Sequence, residues 1–196
     1  MKKIPAGTWI ENPIMGQRAL LIKLPRDTGG DYFEMEYICQ PFTGKGNLPL
    51  HYHPTYTERF DIFSGKARYR LGKNEYVAGL GEQIIIPPLI EHLHPWSDSN
   101  EELRVHLVSK ANPPDMAGLN ANINAGITIF GLARDGKVDK HGLPNLLQLA
   151  VCAIKTIPGA CPAGMSIGTA RVMIGFLALL GHTLGYQASY PEYGEA

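Results

Sequence analysis

Between about residues 9 and 112 the chain is written in short apolar or alternating runs broken by turn residues. Side chains on a strand point to opposite faces with a period of two, so such runs read as strands. The spacing predicts strands over 19–24, 32–39, 48–53, 59–63, 67–71, 82–86 and 103–108. Between them lie Asp27-Thr28-Gly29-Gly30, Ser64-Gly65-Lys66, Gly72-Lys73-Asn74 and Ser97-Asp98-Ser99-Asn100, all with the composition of turns. Strands at this spacing imply a sandwich or barrel.

The pattern changes at Ala111-Asn112-Pro113-Pro114, where a double proline stops a strand and opens a helical region. The chain therefore divides into 1–112 and 113–196. Leu146, Leu147, Leu149, Ala150, Ala153, Ile154 and Ile157 form an apolar stripe at helical spacing, ended by Pro158-Gly159. A second helix is predicted from Ser166 to Gly185, with Val172, Met173, Ile174, Phe176, Leu177, Leu179, Leu180 and Leu184 apolar on nearly every side. Such a helix is expected to be buried, across the barrel or in a homodimer. The uncharged stretch after Arg171 approaches the ~20 residues of a membrane span, but Gly175, Gly181, His182 and Gly185 interrupt it. Peripheral membrane contact through this segment is the lesser expectation.

Composition narrows the function. The 196 residues suffice for a real core, and 44% are apolar. Lys plus Arg equals Asp plus Glu at 18 each, so no overall field draws the chain to nucleic acid. The start, Met1-Lys2-Lys3-Ile4-Pro5, has no apolar run behind its lysines, and the expected compartment is the cytoplasm. Cys39, Cys152 and Cys161 lack metal-ligand spacing and read as buried or free thiols.

The chemistry concentrates in His51-Tyr52-His53, Glu58 and His92. His51 and His53 share a strand face while Tyr52 points away; Glu58 joins them if the chain turns at Pro54-Thr55. Gly46, His51, His53, Glu58 and Gly65, followed by Gly81, Pro87 and His92, resemble the two motifs of the cupin family. The pattern departs from the family's in three places: four residues rather than five follow Gly46, Leu89 replaces an inner glycine, and Trp96 stands where an asparagine would be. The resemblance implies a mainly β, double-stranded β-helix (jelly-roll) barrel with a C-terminal α-helical extension. It also implies one divalent metal on His51, His53, Glu58 and His92.

A narrower resemblance, to bacterial cupin-domain proteins with a helical C-terminal extension, rests on the segments 130–137, 142–145 and 184–193. It implies architecture and no substrate.

Three imidazoles and a carboxylate suit Fe(II), Mn(II), Ni(II) or Zn(II). The leading expectation is a metal-dependent enzyme acting on a small polar organic molecule, by dioxygenase or by isomerase or lyase chemistry. His94, which shares the parity of His92, and His106 are candidate proton carriers. Tyr56, Trp96 and Arg104 are candidate pocket residues. A non-catalytic module that binds or senses a small ligand needs the same metal residues and stays open, as does a chiefly structural role.

Overall fold

Alternation sorts the strand residues into two sets, and the inward set builds the core. The computed structural model describes residues 2–45 and 48–196, so Gly46, the expected leading glycine, lies outside the described residues. Among the described residues there are eleven strands: β1 (Thr8–Asn12), β2 (Gln17–Lys23), β3 (Tyr32–Cys39), β4 (His51–Tyr52), β5 (Tyr56–Ser64), β6 (Ala67–Leu71), β7 (Asn74–Ala78), β8 (Gln83–Ile86), β9 (His92–Ser97), β10 (Leu103–Ala111) and β11 (Cys161–Pro162). They form two antiparallel sheets, ordered β1-β2-β3-β10-β5-β8 and β11-β4-β9-β6-β7. Phe60, Ile62, Leu103 and Val105 of the first sheet share one core with Ala67 and Ala78 of the second. This is the expected mainly β jelly-roll class, followed by three helices.

The strands over 32–39 and 67–71 coincide with expectation, and others shift at their ends for identifiable reasons. The run 48–53 shrinks to His51–Tyr52 because Pro49 has no N–H to give to a ladder. β7 was not anticipated, since four of its five residues are exposed and carry no alternation. Gly65 has φ +72°, and a Cβ there would lie 2.6 Å from the Glu102 carbonyl oxygen, so the β5–β6 turn admits only glycine without rearrangement.

Helix α1 (Met116–Arg134) has no clear periodicity in sequence, with three glycines and three asparagines inside it. Tertiary packing overrides that poor propensity. A Cβ on Gly131 would sit 2.5 Å from the Tyr193 ring, so glycine is what lets the C-terminal segment close against this helix. Ile4 N–H donates to the Glu195 carbonyl and Glu195 N–H to the Lys2 carbonyl, tying the two ends together.

Helices α2 (Leu146–Thr156) and α3 (Ile167–Thr183) fall where the stripes placed them, capped by the side chains of Asn145 and Ser166. The expected all-round burial of α3 is not found. Ala170, Ala178 and Gly181 are buried, the last so close to α2 that a Cβ would meet Val151 at 2.6 Å. Val172, Phe176 and Leu179 are 74%, 62% and 62% exposed. The small residues form the face that can approach α2, and the large ones are left outside it. Among the described residues no helix is long and apolar enough to cross a membrane.

Candidate metal centre

The two halves of the motif meet through strand register. In the smaller sheet His51 of β4 lies directly opposite His92 of β9. In the larger sheet Tyr56, Glu58, Phe60 and Ile62 form the buried face of β5, which carries Glu58 toward the imidazoles. The ligating atoms of His51, His53, Glu58, His92 and His94 all lie within 4.8 Å of one another. Tyr52 points the other way and donates its hydroxyl hydrogen to the Met165 carbonyl.

The ring nitrogens disclose what the cluster is built to hold. Nδ1 of His51 lies 2.8 Å from the Pro49 carbonyl oxygen, Nδ1 of His53 is 2.7 Å from that of Gly159, and Nδ1 of His92 is 2.8 Å from that of Ile90. A carbonyl only accepts, so each Nδ1 carries a proton, and a ring in its neutral form then has its lone pair on Nε2. Nε2 of His53 and of His92 lie 3.4 and 3.0 Å from Glu58 oxygens, yet both are buried without a hydrogen bond. Buried orphan nitrogens of fixed tautomer, converging beside a carboxylate, fit a metal ion.

Charge within the cluster is strongly coupled. Burial would raise the Glu58 carboxyl, but the imidazoles of His94 and His53 hold it well below the usual carboxylate range. Burial, reinforced by the neighbouring His92, His53 and His94, pushes His51 well below the imidazole range, favouring the neutral ligand form. Burial also lowers His94, against the pull of Glu58. Burial lowers His53 too, but Glu58 outweighs it and the net shift is upward. His94 Nε2 is 3.0 Å from Glu58 Oε2, in reach of the same centre as the other four.

Several expected pocket residues stand elsewhere. On β10, Leu103, Val105, Leu107, Ser109 and Ala111 are buried, which places Arg104 and His106 on the opposite, outer face. Arg104 pairs with Glu36 at 2.8 Å, and His106 lies between Glu34 and Asp61 with its ring stacked on exposed Phe63. Neither belongs to the pocket, because alternation defines two faces without saying which is inside. Trp96 is buried under the Lys45 ammonium, 4.9 Å from the ring centroid, and does not line the cavity. Tyr56 is a support rather than a wall. Its ring stacks on His53 with centroids 5.3 Å apart, and its hydroxyl donates to Asp115 Oδ2 at 2.7 Å.

The substitution at Leu89 has a structural cost. Its φ is +69°, a left-handed conformation that L side chains disfavour, while its N–H donates to the His53 carbonyl and its side chain is exposed. Leu89→Gly is expected to raise stability by about 0.5–1 kcal/mol, the relief of strain exceeding the added entropy of the unfolded chain. Urea unfolding checks it: the midpoint should rise at constant slope. A fall would show that the Leu89 side chain contributes more than its backbone costs.

Above the cluster opens a cavity of about 380 Å³. Its walls come from the inner face of the larger sheet, from α1 and α2, and from the loop that follows α2. Cys39, Cys152 and Cys161 are buried free thiols, and burial raises Cys39 to about 12 and Cys152 to about 11, so they are poor nucleophiles.

No protein-family model matches the chain, and no curated protein matches its sequence. Similar solved structures include one described as a predicted oxalate decarboxylase from Thermotoga maritima, at 14% identity and TM-score 0.45, covering 48% of this chain and 80% of that one. Another is a sugar phosphate isomerase of the cupin superfamily from Silicibacter pomeroyi, at 16% identity and TM-score 0.42, covering 56% and 68%. A third is a polyketide cyclase from Streptomyces resistomycificus, at 17% identity and TM-score 0.42, covering 56% and 79%. With two antiparallel sheets around one core, and both halves of the motif delivered by strand register to a single buried histidine and glutamate cluster, this chain is a cupin-fold protein.

Proposed function

We propose that this chain is a metal-dependent enzyme acting on a small organic molecule, with residues 1–112 supplying the ligands and 113–196 roofing the cavity. One observation carries the reading: five buried or nearly buried ligating side chains meet within 4.8 Å, with the orphan Nε2 atoms of His53 and His92 among them. His51, His53 and His92 would bind one divalent ion through Nε2, and Glu58 through its carboxylate. The ligand set suits Fe(II), Mn(II), Ni(II) or Zn(II). The ion, when bound, would supply Lewis-acid polarisation of a substrate oxygen or, as iron, oxygen chemistry.

The chain's own residues supply the rest. The carbonyls of Pro49, Ile90 and Gly159 hold the rings in one tautomer and orientation. Glu58 offsets part of the ion's charge. His94, resting on Glu58 Oε2, is the side chain placed to hold or move a proton, and with His106 outside the barrel it takes that role alone among the expected candidates. If the chain ligates through four residues, His94 orients Glu58; if through five, fewer positions stay open for substrate.

Dioxygenase chemistry stands ahead of isomerase or lyase chemistry in this proposal. The test is oxygen uptake by the iron-loaded chain with catechols and diketones. Uptake that His92→Ala abolishes supports it; no uptake, with turnover by the manganese- or zinc-loaded chain in isomerase or lyase assays, moves the reaction to that class. A second reading, a non-catalytic ligand-binding module, is favoured by one observation: among the described residues no acidic or basic side chain outside the cluster lines the cavity. Tight binding without product would select it.

The exposed stripe of α3 supports a homodimer that covers it, with peripheral membrane contact as the lesser possibility. The buried free thiols suit a reducing cytoplasm.

A further inference from the structure

The charged and ionisable metal-ligating side chains in the cavity lie at one end, and the walls are chiefly apolar. The larger sheet presents Ala19, Leu21, Phe33 and Leu107, while α1 and α2 present Ile123 and Leu149 among others. The polar groups in these walls are mostly engaged within the protein: Asn12 Nδ2 donates to the Gly142 carbonyl, Tyr37 Oη to the Pro95 carbonyl, and Gln17 Nε2 to Cys39 Sγ. The side chain of Asn122, half-buried on α1, makes no hydrogen bond among the described residues, and Ser109 is the fully buried exception. It is 1% exposed, lines the cavity, and its hydroxyl has no hydrogen-bond partner. Strand register sets it directly opposite Glu58, so this orphan hydroxyl sits in the layer of the cluster rather than among the apolar walls.

We propose that the cavity takes a chiefly hydrophobic small molecule with a single metal-binding polar head, its apolar body between the sheet and the helices and its head against the cluster, hydrogen-bonded by Ser109. The assignment of the head rests on the metal reading above; the assignment of the body rests on the walls alone. It replaces the small polar molecule expected from sequence. A sugar phosphate or dicarboxylate would bring a second charged group into walls that offer no lysine or arginine to receive it. A volume of about 380 Å³ accommodates a body of several carbons or one or two rings.

The experiment is titration calorimetry of the full chain, zinc-loaded and metal-free, with acetate, butyrate, hexanoate, octanoate and succinate. Burial of each methylene is worth roughly fourfold in affinity, so each two-carbon step should tighten binding about fifteenfold, and succinate should bind no better than acetate. Gly126 gives a clean blocking variant. It lines the cavity from α1, and a Cβ there meets nothing within 4 Å, so the side chain of Gly126→Leu starts in open space, and the substitution improves helix propensity. That variant should lose the gain beyond butyrate and keep its zinc. Ser109→Ala should weaken every member of the series by about fivefold, the worth of one hydrogen bond. A flat series, tighter succinate, or a chain-length gain that survives Gly126→Leu overturns the hydrophobic body; unchanged affinities in Ser109→Ala overturn its part. A chain that takes up no zinc yet shows a length dependence removed by Gly126→Leu would sink the metal reading and leave the apolar cavity standing. Zinc uptake with a flat series would do the reverse.

Discussion

His92→Ala is expected to weaken metal binding by more than the about 10–100-fold that losing an outer partner of a ligand costs, because it removes a ligand outright. His92 is fully buried, its Nδ1 donates to the Ile90 carbonyl, and its Nε2 faces Glu58 without a hydrogen bond. The protein should stay folded, since the core around Phe60, Ile62 and Leu103 does not depend on that ring. His106→Ala is the matched control. It removes an imidazole from the outer face of β10, beside Asp61 and Glu34, and should leave metal affinity unchanged. Competition against a chromogenic chelator measures both. Equal effects of the two substitutions would mean that the cluster is not the site of binding.

The second large effect is expected from a residue that touches no metal. Gly159 offers its carbonyl to His53 Nδ1, and a Cβ on it would lie 2.4 Å from Tyr56 Oη and 3.0 Å from Tyr56 Cζ. Gly159→Ala therefore forces either the Tyr56 ring or the loop after α2 to move. The expected cost is about 1–3 kcal/mol of stability from overpacking, with a loss of about 10–100-fold in metal affinity as the His53 ring loses its fixed orientation. Tyr56→Phe removes the closest clashing atom and the hydrogen bond to Asp115 together. The double variant should then be more stable than the sum of the single effects predicts, by about 0.5–3 kcal/mol of coupling. Strict additivity in urea unfolding would show that the loop relaxes without touching Tyr56.

Side-chain chemistry on strands was legible in this chain, and backbone chemistry was not. His51, His53, Glu58 and His92 could be read as one group because the motif spacing gives the strand each residue sits on, and parity set His94 beside His92 as a candidate proton carrier. Parity alone could not say on which face His106 and Arg104 lie, since a period of two is symmetric between inside and outside. The carbonyls of Pro49, Ile90 and Gly159 fix three of the imidazoles, yet no residue type announces a carbonyl; the Pro158-Gly159 pair read only as the end of a helix. Helix α1, which forms much of the cavity wall, was hidden by Gly118, Gly126 and Gly131 and by three asparagines. In α3 the apolar pattern predicts the helix; within the chain Val172, Phe176 and Leu179 stay exposed, and the other expected way of burying them, a homodimer, needs a second copy.

One divalent ion is expected among His51, His53, Glu58 and His92. Elemental analysis of the protein purified without chelator and without a histidine-rich tag tests it most directly, set against the variant carrying His51→Ala and His92→Ala. About one transition-metal ion per chain is expected in the wild type and none in the double variant, the stoichiometry of a single set of nitrogen and carboxylate ligands. No metal in either protein, even after reconstitution with iron, manganese, nickel and zinc in turn, would contradict it.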